Sequence, residues 1–162
     1  MGTDMISRAR AGDKQAFAQL YAQYKDKLFR YAYFKLGNEQ DAQDAVSDCV
    51  VEAYLGIAAL KSEKAFSAWI FQILHRCCCA ILSRPKDMAL EDDGSLVHHD
   101  SHLAPELKEA LAILSDEDRD IVLLHVVAGY KTREIATLLA LNHATVRSRL
   151  SRALAKMREF LE

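Results

Sequence analysis

An all-α protein of two small helical domains is what the sequence predicts, on three observations. Ala and Leu supply 45 of the 162 residues, while Val, Ile and Thr together supply only 20. Ala and Leu are strong helix formers, whereas β-branched side chains favour strands. Apolar residues also recur in steps of three and four through most of the chain, the spacing of one helix face. Finally, Pro85 and Pro105 bracket the one stretch without that period. A composition of 51% hydrophobic and 27% charged residues, with 6 Gly and 2 Pro, excludes collagen-like, low-complexity and wholly disordered chains.

The elements follow in order. Phe17, Leu20, Tyr21, Tyr24, Leu28 and Tyr31 line one helix face, with Asp13 placed as N-cap and Gly37 as stop. Ala42, Ala45, Val46, Cys49, Val50 and Ala53 form a second stripe, and the opposite face of that helix carries Asp41, Asp44, Ser47, Asp48 and Glu52. A polar connection, Lys61 to Lys64, precedes a third stripe of Phe66, Trp69, Ile70, Ile73, Cys77 and Ile81. Residues 85–105 are acidic and polar, too long for an ordinary loop and suited to a linker. They divide the chain into 1–84 and 106–162. In the second part, Leu107, Leu111 and Leu114 line one helix, and Ser115 caps the next, which Gly129 ends. Thr132 is placed to cap a short helix over 133–139, and Asn142 to cap a last one running to Phe160.

Charge and cysteine content narrow the chemistry. The net charge of -2 hides a basic end: residues 143–162 carry five Lys/Arg against two acids, Glu159 and Glu162. The longest uninterrupted apolar run, Cys77 to Leu82, falls well short of the ~20 residues of a spanning helix, so no membrane association is expected. The first residues include Asp4, Arg8 and Arg10 and no apolar signal core, which points to the cytoplasm and to reduced thiols at Cys49, Cys77, Cys78 and Cys79. Three of these are consecutive and cannot easily converge on one tetrahedral metal; with His75 they read as buried small residues, not as a zinc site. His98, His99 and His102 read as solvated histidines. No activated nucleophile and no glycine-rich phosphate loop is present, so neither an enzyme, a cofactor nor a small-molecule substrate is expected.

The segment from Thr132 to Leu154 has the layout of a helix-turn-helix. Ile135, Ala136 and Leu139 face inward from the first helix, Leu141 fills the turn, and Val146, Leu150 and Leu154 anchor the second helix. The second helix then presents its N-terminal residues to a major groove. His143, Ala144, Thr145, Arg147 and Ser148 are placed for base edges, where Arg can take guanine bidentately. Arg149, Arg152 and Lys156 lie further along for phosphates. The plainer alternative is a solvated basic face, but five cations precede the first acid of this helix, Glu159.

Four segments together resemble the extracytoplasmic-function sigma factors, the smallest class of bacterial sigma subunits. They are Ala16 to Tyr21 with Tyr24, Gly37 to Val46, Phe66 to Ile70, and Leu114 to Leu154. The resemblance implies a sigma domain 2 over 1–84 and a sigma domain 4 over 106–162. It implies that Asp41, Asp44, Ser47, Asp48 and Val51 dock on the clamp coiled coil of the polymerase β′ subunit. It implies that Lys61, Lys64, Phe66, Gln72, His75 and Arg76 meet the single-stranded -10 element, where a base is flipped into a pocket, while Trp69 and Ile73 belong to the core. The segment from Asn142 to Arg152, with Lys156, would read the -35 element, and apolar surface on domain 4 would lean on the β flap. An anti-sigma factor is a further partner the family suggests. The acidic linker (Asp87, Glu91, Asp92, Asp93, Asp100) would thread near the RNA exit path.

The sequence also departs from the family pattern. Arg76 stands where Asn is common and Ala80 where Asp is common, and only Ser83-Arg84 ends a segment usually more basic. Ala140 replaces the Gly usual in the helix-turn-helix turn, which predicts that no positive φ is required there. The alternative to a sigma factor is a free-standing helix-turn-helix regulator, or a sigma-like regulator without promoter melting. Neither needs an acidic docking helix or a linker.

Overall fold

The computed structural model describes residues 2–85 and 105–162, with side chains from Asp4 onward. Among the described residues there are eight α-helices, two short 3-10 turns and no strand: α1 (Gly2–Arg10), α2 (Lys14–Leu36), α3 (Glu39–Gly56), the turns Ile57–Ala59 and Glu63–Ala65, α4 (Phe66–Leu82), α5 (Pro105–Ala112), α6 (Asp116–Val126), α7 (Thr132–Leu139) and α8 (His143–Leu161).

The local signals act as expected. The Asp13 carboxylate accepts from the backbone N–H of Gln15 and Ala16 at 3.0 and 3.1 Å. Those bonds, with the Arg8 guanidinium beside it, hold its pKa below the ordinary value. Gly37 closes α2 at φ 90, donating its N–H to the Tyr33 carbonyl. Ser115 caps α6 through the Asp118 N–H at 3.2 Å. Helix α7 starts one residue earlier than expected, at Thr132, because Glu134 reaches back to accept from the Lys131 N–H at 2.9 Å. The Thr132 hydroxyl is thereby left for another partner. Helix α1 was not anticipated; only Ile6 and Ala9 on it are buried, too few positions to reveal a period.

In the first half α3 sits between α2 and α4. Its buried stripe is mostly of small residues (Ala42, Ala45, Cys49, Ala53), which lets α2 and α4 approach it closely. The expectation drawn from apolar runs needs correcting at α4. Within Glu63–Leu82 an 18-residue window has a mean hydropathy of 1.5, and the 20-residue segment is long and apolar enough to cross a membrane by length and composition alone. Single polar residues (Ser67, Gln72, His75, Arg76) interrupt the run without lowering the mean much. The apolar side of α4, through Phe66, Ile70, Phe71, Ile73, Leu74, Cys78 and Ile81, is buried in the helical core. In the second half Ile121, Leu124, Ile135, Val146 and Leu150 form the centre.

The two halves touch. Helix α2 packs on α6, and α4 on α7. Lys35 of α2 forms a buried ion pair with Asp120 of α6, their side chains 3% and 11% exposed. The linker acids and His98, His99 and His102 lie outside the described residues.

Candidate nucleic-acid interface

The basic helix is built from its cap outward. The Asn142 side chain accepts from the Ala144 N–H at 2.8 Å, so this residue, among those expected at DNA, is engaged in starting α8. Val146, Leu150, Ala153 and Met157 anchor the buried side. Ala144, Thr145, Arg147, Ser148, Arg152 and Lys156 are exposed on the other. His143 shares a 2.8 Å hydrogen bond with the Thr132 hydroxyl, tying the first turn of α8 to the first turn of α7. Partial desolvation, then the charges of Arg147 and Arg133, lower its pKa from 6.5, so the ring is neutral at pH 7. Arg133, exposed and next in sequence to Thr132, adds a further cation near the first turn of α8. Sequence reasoning does not single out Arg133, because its helix carries the buried Ile135 and Ala136 and no basic run.

Arg149 differs from its neighbours. It pairs with Glu117 at 2.5 Å and Asp118 at 3.3 Å, both from the first turn of α6. Its charge is already answered within the fold, while Arg147 faces solvent and has no ion pair among the described residues.

The turn before α8 overturns one expectation. Ala140 has φ 57 and ψ 44, the left-handed conformation, and among the described residues it is the one non-glycine with positive φ. Two tight backbone bonds impose this: Ala140 N–H reaches Thr137 O at 3.3 Å, and Leu141 N–H reaches Ala136 O at 2.9 Å. That 6→1 closure requires a left-handed residue whatever its side chain, and Ala tolerates it at a cost of roughly 1–2 kcal/mol.

The first half places its candidates unevenly. Lys61, Lys64, Gln72 and Arg76 are exposed, Arg76 lying 3.8 Å from Glu52. Phe66, expected at single-stranded DNA, is 1% exposed and packs edge-on against Tyr24 at 5.3 Å and against Trp69 at 5.9 Å. It is a core ring in this conformation and offers no stacking face. Ile73 is buried and Trp69 half-buried. His75 is also largely covered, its Nδ1 2.9 Å from the Tyr31 hydroxyl and 4.0 Å from Asp120, its Nε2 3.6 Å from Cys79 Sγ. Burial lowers the His75 pKa, Asp120 opposing and Lys35 assisting.

On α3, Ser47, Asp48 and Val51 are exposed, and Asp41 and Asp44 half-buried. Asp41 accepts from the Asn38 amide at 3.0 Å. Leu55 at 76% exposure and Tyr54 at 41% extend the same surface beyond Val51 at 58%. Asp48, Val51, Glu52 and Leu55 share one face by their spacing. Leu55 was missed because an exposed Leu carries no signal in a sequence.

Burial raises all four thiols: Cys77 to about 11, Cys78 to about 12, and Cys49 and Cys79 above the usual value. They are therefore protonated and unreactive at neutral pH. Among the described residues no three His, Cys, Asp or Glu side chains converge to hold a metal.

Comparison with known proteins gives concordant matches. The family model described as "Sigma-70 region 2" matches residues 20–84, and "Sigma-70, region 4" matches 105–157. The ECF RNA polymerase sigma factor SigM of Mycobacterium tuberculosis is 29% identical over 163 residues, covering 98% of this chain and 83% of that one. SigW of Bacillus subtilis is 24% identical over 176 residues, covering 96% and 94%. In fold, the chain superposes on CnrH, solved in complex with the cytosolic domain of CnrY, with a TM-score of 0.76 at 24% identity, covering 98% and 96% of the two chains. It also superposes on the sigma factor RpoE of Bartonella quintana, solved with the anti-sigma factor NepR, with a TM-score of 0.75 at 22% identity, covering 90% and 96%.

Proposed function

The chain belongs to the extracytoplasmic-function sigma factors, non-catalytic subunits that direct RNA polymerase to specific promoters, and on that premise we propose how its surfaces divide the work. Residues 1–84 and 106–162 act as two units joined by the acidic linker. The exposed face of α8 reads the -35 element. Ala144, Thr145, Arg147 and Ser148 meet base edges, while Arg133, Arg152 and Lys156 neutralise phosphates. Asn142 and His143 hold the start of α8 in place through the Ala144 N–H and the Thr132 hydroxyl.

The α3 face docks on the β′ clamp coiled coil. Asp44 and Asp48 steer a basic partner, and Val51 and Leu55 supply the apolar contact. Lys61, Lys64, Gln72 and Arg76 form the -10 surface, joined by His75 once the two units separate. Leu107, Val126, Leu154, Met157 and Leu161 of domain 4 line an apolar groove of about 470 Å³ with Phe34 of α2 at its edge. Once the two units separate, these domain 4 side chains support apolar docking, as the β flap would require. The protein works in the cytoplasm, and an anti-sigma factor is a fitting partner, given the two complexes in which its fold recurs.

The observation that carries this reading is the exposed face of α8 from Ala144 to Lys156, free of acids and set behind a well-made cap. Transcription by core polymerase carrying this subunit, on a library of promoters randomised at the -35 element, tests it. Arg147→Ala is expected to lose preference at one base position. A uniform loss across all sequences would move Arg147 from base reading to phosphate binding.

A further inference from the structure

The contact between the two halves is more specific than a chance meeting of surfaces. Lys35 and Asp120 lie 85 residues apart in sequence and are both buried in the seam. Tyr31 and His75 stand beside them, at 2.9 Å from one another. One end of the seam is Tyr130, whose hydroxyl donates to the Ser67 carbonyl at 2.5 Å and whose ring stands edge-on to Phe71 at 5.7 Å. At the other, Lys108 Nζ sits 5.5 Å from the centre of the Tyr33 ring. The second half thus lies along α4 from Ser67 to His75, on the helix assigned to the -10 element.

That closed arrangement cannot serve a promoter. The -35 and -10 elements are roughly 25 base pairs apart, about 85 Å along a duplex. With Tyr130 of the second half on Ser67 of the first, the closed form falls far short of that span. Both readers therefore engage only if the seam opens and the ~20 linker residues, about 70 Å when fully extended, add their reach to the widths of the two domains. An ion pair suits a contact that must part. Water recovers both charges on opening, and the desolvation cost of closing nearly cancels the attraction. The pair therefore fixes one register of closure and can part, as a pair, at little net cost. Removing one partner leaves the other charge buried and unanswered.

Resting on the sigma-factor reading above, we propose that Lys35 and Asp120 form a reversible latch that holds domain 4 over α4 in the free protein and must break before the promoter is bound. A prediction specific to a charged latch follows. Either single change, Lys35→Met or Asp120→Leu, opens the chain. The double change, which replaces the pair by apolar side chains, closes it again and more firmly.

Small-angle scattering of the free, full-length protein tests this, with far-UV circular dichroism to confirm native helix content. The wild type and the double variant are expected near the radius of gyration of a compact chain, about 15 Å for this length, and both single variants are expected to be several ångström larger. Assembly with core polymerase should be faster for the single variants and slower for the double variant. Single variants that keep native helix content and the wild-type radius would overturn the latch, as would a wild type already extended. Scattering reports the latch alone and core binding reports the function, so a failure of one is not mistaken for a failure of the other.

Discussion

Helices α4 and α8 are both amphipathic and both proposed to meet promoter DNA, yet they are made of different material. Helix α8 has a side-chain cap, a narrow buried stripe and exposed cations at Arg147, Arg152 and Lys156. Helix α4 has no side-chain cap, follows a 3-10 turn and is mostly apolar. Its candidate DNA residues divide between solvent (Gln72, Arg76) and the interior or seam (Phe66, His75). A reader of duplex DNA can be rigid and finished before binding. Helix α4, proposed to meet the opened strand, is contacted here by the half proposed to read the -35 element.

The largest expected effect concerns the surface that neither helix provides. Reversing Asp44 and Asp48 to Lys on α3 should abolish association with core polymerase, measured by fluorescence anisotropy, with helix content unchanged. Undiminished association would remove α3 from the docking surface. Next, Arg147 and Arg149 should separate. Arg147→Ala should cost roughly 1–3 kcal/mol at one base position if it binds guanine bidentately. Arg149→Ala should cost less in DNA binding and show instead in thermal unfolding, because its partners are Glu117 and Asp118. Equal effects on DNA binding would place both on the same surface.

Smaller effects test the frame around α8 and α4. Ala140→Gly relieves a left-handed alanine at φ 57, a strain of roughly 1–2 kcal/mol, and should raise the melting temperature by about 2–4 °C. A lower melting temperature would show that alanine fits this turn without strain. The smallest effect belongs to His75, faced by Tyr31, Cys79, Asp120 and Lys35. Burial holds its folded pKa below 6.5, so the unfolded chain takes up the proton first as pH falls. Its contribution is complete above about pH 6.5 and is lost as pH drops through the lowered folded value. Denaturant titrations should show a shallower stability loss below that pH in His75→Asn than in the wild type.

Legibility in the sequence followed the range of the interaction. Asp13, Gly37, Ser115 and Asn142 act on their own neighbours within three or four residues, and their roles could be read directly. The basic face of α8 was equally plain, because period and charge coincide. Phe66 shows a conflict visible from the start: its place in the stripe with Ile70 and Ile73 already required burial, whatever the family resemblance suggested. Ala140 was misjudged because residue type was weighed above the 6→1 closure, which only the positions of Ala136 and Leu141 reveal. The Lys35–Asp120 pair had no local signature at all, since each residue alone reads as an ordinary charge on a helix. Arg149 likewise reads as a free cation in the sequence, its acids Glu117 and Asp118 lying about 30 residues earlier.

The division of labour among α3, α4 and α8 is tested most directly by selecting active promoters from a fully randomised library with core polymerase and this subunit. Two separated sequence blocks are predicted, the upstream one altered by Arg147→Ala and the downstream one by changes at Lys61, Lys64, Gln72 or Arg76. A single inverted-repeat block, bound equally well without polymerase, would contradict the account.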